Sequence, residues 1–101
     1  MTNTLILTSV VETTLSNGTT VYKLRFYEPK NKFYVYDTIA ANSIRLEYLL
    51  KSVNAASTDV ATLLNRNFNA TLKLRTALNR ADNTPFTQYV VDKYLGGTAN
   101  D

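Results

Sequence analysis

Apolar side chains alternate with polar ones through three stretches of the first forty residues, and turn residues separate the stretches. A period of two is the mark of strands with one buried face. The first stretch covers residues 4–15 and the second residues 19–27, with Asn17-Gly18 between them. Asn-Gly favours a two-residue type I′ hairpin turn, because both central residues need positive φ. That turn would set Val11 opposite Leu24 and Ser9 opposite Phe26 on the apolar face, with Glu12 opposite Lys23 on the other. Glu28-Pro29-Lys30-Asn31-Lys32 reads as the next turn, since Pro29 fixes φ and removes a ladder donor. A third strand over residues 33–39 then sets Phe26 against Val35 and Tyr22 against Ile39. Its reverse side gathers Lys23, Arg25 and Tyr27 against Tyr34, Tyr36 and Thr38.

Residues 40–67 change period. Asn42 or Ser43 suits a helix cap before Leu46, Leu49, Leu50 and Val53, although Ile44, Leu46, Tyr48 and Leu50 also alternate as in a strand. Both readings stay open for residues 43–53. Ser57 or Thr58 followed by Asp59 opens a second helix with Val60, Leu63 and Leu64 on one side, ending near residues 65–67. Residues 68–76 alternate again, with Phe68, Ala70, Leu72 and Leu74 inward and Asn69, Thr71, Lys73 and Arg75 outward. A loop at residues 77–85, rich in Asn and Asp, precedes a last strand over residues 86–95, for which a short helix is the alternative.

The expected fold is therefore mostly β with one or two short helices. Its order is βββ-α-ββ, in a five-stranded barrel or a curled antiparallel sheet. This order resembles the OB barrel, which carries its helix between the third and fourth strands. Residues 1–95 are expected to form a single domain, and residues 96–101 a short flexible tail.

Composition then limits the chemistry. The 101 residues contain neither cysteine nor histidine. The common zinc sites, Cys–His dyads and Ser–His–Asp triads therefore have no ligands or base. The acids Glu12, Glu28, Asp37, Glu47, Asp59, Asp82, Asp92 and Asp101 are spread along the chain, and no Gly-rich phosphate loop is present. No enzyme activity, cofactor or metal is expected. No apolar run approaches the roughly 18 residues of a membrane span, and the start of the chain lacks the pattern of a signal peptide. A cytoplasmic protein, in a bacterium or inside a host cell, is the expectation.

The net charge is only +3, but it is unevenly placed. Arg66, Lys73, Arg75 and Arg80 fall in a stretch without acids, and such a distribution can form a basic patch from a small total. In the OB resemblance, nucleic acid lies across strands two and three, where this chain has Lys23, Arg25, Tyr27, Tyr34 and Tyr36. Tyrosine rings stack on bases, and Lys and Arg neutralise phosphates without reading sequence. Lys30 and Lys32 in the adjoining turn, Lys73 and Arg75 on strand four, and Arg80 in the late loop extend the track. Several small phage and plasmid single-strand-binding proteins are similar in general design, without a shared motif. The same residues suit plain strand packing, or a protein-docking surface. Two functions follow. The first is non-specific binding of single-stranded nucleic acid, DNA ahead of RNA, by a homodimer. The alternative is a small protein–protein interaction module, either a viral structural protein or an inhibitor of a host or bacterial enzyme. Tyr22, Phe26, Phe33 and Phe68 are assigned to the core, and Glu28 and Asp37 to structural or solvated positions rather than catalysis.

Overall fold

The fold described is that of a computed structural model, which covers residues 2–53, 55 and 59–95. Five strands alternate as the apolar pattern requires: β1 (Thr2–Thr14), β2 (Thr20–Glu28), β3 (Phe33–Ala40), β4 (Asn67–Leu78) and β5 (Pro85–Tyr94). One helix, α1 (Ile44–Ser52), and a 3-10 turn at Val60–Leu63 lie between β3 and β4. The strands close into a ring in the order β1-β2-β3-β5-β4, in which β3 and β5 run parallel. The chain is mostly β in the order βββ-α-ββ, with the helix where an OB barrel carries it.

Inside the ring, Leu5, Leu7, Leu24, Phe26, Val35, Ile39, Phe68, Ala70 and Val91 form the core, and Leu49, Val60 and Leu63 cover one end. Phe26 and Phe68 meet edge to face at 5.5 Å, a favoured arrangement for two aromatic quadrupoles. Tyr22 and Phe33 are partly buried and pack against this cluster.

The β2–β3 register is the one the alternation predicts, with Glu28 opposite Phe33, Phe26 opposite Val35 and Tyr22 opposite Ile39. Glu28 holds it. Its buried carboxylate accepts from the Lys30 N–H at 2.6 Å, the Asn31 N–H at 3.1 Å and the Asn31 side-chain amide at 2.9 Å. Lys32 closes the turn at φ 60° by donating its N–H to the Glu28 carbonyl.

The β1–β2 register differs from the expectation by one residue. The Gly18 N–H bonds the Leu15 carbonyl and the Leu15 N–H bonds the Thr19 carbonyl, so the loop has three residues rather than two. Gly18 alone in the turn takes positive φ (87°), the geometry of a type I turn closed by a left-handed glycine. Asn17 instead uses its side-chain oxygen to accept from the Thr19 N–H. Consequently Val10, not Val11, faces Leu24, Ser9 faces Arg25, and Glu12 faces Tyr22 rather than Lys23. A bulge at Thr8 then restores the phase, so that Leu7 as well as Val10 points inward. The Thr8 hydroxyl donates to the Arg25 carbonyl across the bulge.

Residues 43–53 resolve as a helix, because the Ser43 hydroxyl caps the Arg45 N–H and Leu49 is fully buried. The second helix is a single 3-10 turn capped by Asp59, which accepts from the Ala61 N–H. The proposed caps Ser57 and Thr58, and the tail at 96–101, lie outside the described residues. Both β4 and β5 run further into the late loop than their alternation shows, leaving only residues 79–84 as the connection.

The Glu28 carboxylate predicts a stability effect. Replacing Glu28 by Ala strands the amides of Lys30 and Asn31, and hydrogen bonds to charged groups are worth about 1.5–3 kcal/mol each at most. Urea denaturation of Glu28→Ala should show a loss of about 2–3 kcal/mol, with a smaller loss in Glu28→Gln, which keeps an acceptor. Equal stability of Glu28→Ala and the parent chain would remove the turn's assigned role.

Candidate nucleic-acid interface

The outer side of β2, β3, β5 and β4 forms one face. Strand parity places Lys23, Arg25 and Tyr27 of β2 opposite Thr38, Tyr36 and Tyr34 of β3. Tyr36 is next to Val90 of β5, which in turn is opposite Lys73 of β4. Two residues further along, Gln88 is opposite Arg75, and then Phe86 is opposite Ala77. The closed ring thus joins two segments about forty residues apart in the chain.

An open groove of about 610 Å³ runs across this face, lined by Tyr36, Thr38, Lys73, Leu74, Arg75, Gln88, Val90 and Val91, with Asp37 and Arg45 at one end. Val90 is buried and forms its floor. Among the described residues no ion pair forms with Lys23, Arg25 or Arg75, whereas Lys73 lies 3.8 Å from Asp92 at the groove's margin. The corrected β1 register matters here, because it turns Glu12 away from Lys23. The face therefore carries more uncompensated positive charge than the expected register allowed.

The rings differ in what they offer. Tyr34 is 47% exposed, but the Arg25 guanidinium sits 4.8 Å from its ring centre and Tyr27 packs against it at 5.4 Å. Tyr36 is 37% exposed, lines the groove, and has no ring contact among the described residues. Its ring also has no cation over it among the described residues. Tyr27 is half-buried and serves mainly to brace Tyr34.

Not every candidate residue joins the face. Lys30 and Lys32 are exposed in the β2–β3 turn, which adjoins the Tyr27–Tyr34 pair. Arg80 stands apart in the β4–β5 connection, beyond the end of the sheet. Its loop is ordered by Asn79 and Asp82, whose side chains accept from the Ala81 and Thr84 N–H groups. Three participants escaped sequence reading. Gln88 and Phe86 occupy outward positions whose parity depends on a bulge near Asp92, between Val91 and Lys93. Arg45 is on α1 and has no local signal.

Arg45 also explains Asp37. The Asp37 carboxylate accepts from Arg45 at 2.7 Å and from the Tyr94 hydroxyl at 2.6 Å, while Arg45 donates a second bond to the Asp92 carbonyl. This network ties α1 to β3 and β5 at the groove's end. Asp37 is thereby occupied as an acceptor in a contact that joins three elements. Burial, followed by the neighbouring Asp37 charge, pushes the Tyr94 hydroxyl well above its ordinary value of 10.0. Among the described residues no group of three or more acids is placed to hold a metal ion, and no helix is long and apolar enough to cross a membrane.

Compared with known proteins, the chain matches no family model, no curated protein and no solved structure.

The raised Tyr94 pKa fixes the sign of an alkaline effect. Below about pH 10, the tyrosine's value in the unfolded chain, both states keep the proton and the contribution is whole. Above it the unfolded chain ionises first, so stability falls as pH rises toward the folded-state value. Urea midpoints between pH 8 and 11 should fall more steeply in the parent chain than in Tyr94→Phe. Parallel slopes would show that Tyr94 is not the group responsible.

Proposed function

We propose that this protein binds single-stranded nucleic acid without sequence preference, DNA ahead of RNA, across the outer face of β2, β3, β5 and β4. The observation that carries this reading is the gathering of Tyr34, Tyr36 and Phe86, all exposed, with Lys23, Arg25, Lys73 and Arg75 on a single face. Bases stack on the rings, and the strand's phosphates run along the cations on either side. Contacts of the cations to phosphate carry no sequence information, which supports binding without sequence preference. Lys30 and Lys32 extend the track at one end. Arg80 reaches a strand only if that strand continues past the sheet. This binding role suits an intracellular, phage- or plasmid-encoded protein, and it requires no catalysis.

The protein-docking alternative gives a different outcome in the same experiment. Fluorescence titration of a labelled oligo-dT at several salt concentrations should give an affinity that falls with salt, with a log–log slope of roughly −3 if four cations meet phosphates. Loss of one stacked base costs about 1–3 kcal/mol, so Tyr36→Ala should weaken binding about 5- to 150-fold while the fold is kept. Phe86→Ala should weaken it in the same direction, and Tyr27→Ala less. Absence of binding to oligo-dT and oligo-U at low salt would overturn the proposal in favour of a protein partner.

A further inference from the structure

β4 leaves β1 at Thr71, and β5 leaves β3 at Tyr89. Beyond those points residues 72–78 and 85–88 pair only with each other, as a two-stranded arm extending past the ring. The arm has two unlike sides. One continues the basic face through Lys73, Arg75, Gln88 and Phe86. The other carries Leu74 opposite Tyr89, Thr76 opposite Thr87 and Leu78 opposite Pro85, with no charge at all. Leu74 is 61% exposed and Leu78 60%. An isolated two-stranded ribbon is marginal in water, and a free edge beside exposed leucines is a template for another strand.

The two edges of the arm are not equivalent. Pro85 lacks an N–H and blunts the edge of β5, whereas residues 72–78 of β4 contain no proline. Among the described residues nothing pairs with this stretch on the side facing away from β5.

We infer that the β4 edge pairs antiparallel with the β4 edge of a second copy, about a two-fold axis at Thr76. Charge and strand length together select this register, since a centre at Ala77 would leave only residues 76–78 of β4 paired and set Leu74 opposite the partner's Arg80. Centring the pair on Lys73, Leu74 or Arg75 places cations directly opposite one another, which is unfavourable. Centring it on Thr76 places Leu74 opposite the partner's Leu78, Arg75 opposite the partner's Ala77, and Lys73 opposite the partner's Asn79. No like charges are then directly opposed, and four leucines cluster on the uncharged side. Because directly opposed residues share a face, the basic sides of the two copies join into one continuous eight-stranded platform. Self-complementarity of charge and of edge identifies the occupant as a second copy of this chain.

This inference stands on the arm and not on nucleic-acid binding, and it is tested without oligonucleotide. The chain has no cysteine, so single-cysteine variants report the register cleanly. Opposed Cα atoms in an antiparallel pair lie about 4.5–5.5 Å apart, within disulfide range. Light scattering should give twice the chain mass for the parent protein. Under mild oxidation Thr76→Cys should cross-link to a covalent dimer at least ten-fold faster than Lys73→Cys or Leu78→Cys. Thr76→Lys, which sets two cations face to face, should give a folded monomer by circular dichroism and light scattering. A parent chain that is monomeric at 100 µM, or equal cross-linking at all three positions, would overturn the pairing. So would a Thr76→Lys variant that stays dimeric.

Discussion

Glu28 ends β2 as a buried carboxylate whose acceptors are met by the amides of the Lys30–Asn31 turn and by the Asn31 side chain. A side-chain period of two makes this anchoring decisive, because a slip of one residue reverses every side chain of a strand. In the observed register Phe26, Val35 and Ile39 enter the core, and Arg25, Tyr34 and Tyr36 are turned to solvent. One residue of slip would bury the cation and two tyrosines and expose the core. The turn therefore decides where the candidate interface is, as well as how the hairpin closes.

Two further devices adjust that frame. The bulge at Thr8 changes the phase of β1 so that one strand can serve both β4 and β2 from the same interior. The register shift near Asp92 does the same for β5, allowing Val91 and Tyr94 both to face inward. Its consequence is that Val90 becomes the floor of the outer groove, with Gln88 and Phe86 continuing the outer face along the arm. The Asp37–Arg45–Tyr94 network fixes the helix against the groove's end. These are backbone irregularities and buried polar contacts whose effect is to shape an exterior surface.

The same parity gives the β4–β5 arm its two characters. Positions continuing the core phase, Leu74 and Leu78, pass beyond the ring and are left largely exposed. Positions continuing the outer phase keep their cations. A strand longer than its barrel thus presents an apolar side and a basic side at once, and the inferred dimer uses the first while extending the second.

The alternation of apolar and polar residues was enough to determine the first three strands, the β2–β3 register and the outward placement of Lys23, Arg25, Tyr27, Tyr34 and Tyr36, while residues 43–53 stayed open between helix and strand. Those features are local, because each is set by a side-chain period and a turn between neighbouring strands. The β1–β2 register was not legible, since Asn17-Gly18 is compatible with two loop lengths and the choice fell to the packing of Val10 against the core. Leu74 showed inward phase in the sequence, but only the extent of β1 and β3 decides that it lies outside the barrel. The joining of Lys73 and Arg75 to Tyr36, and the recruitment of Gln88, Phe86 and Arg45, depended on ring closure and on a bulge. Such contacts arise between segments far apart in the chain, where no local period carries the information.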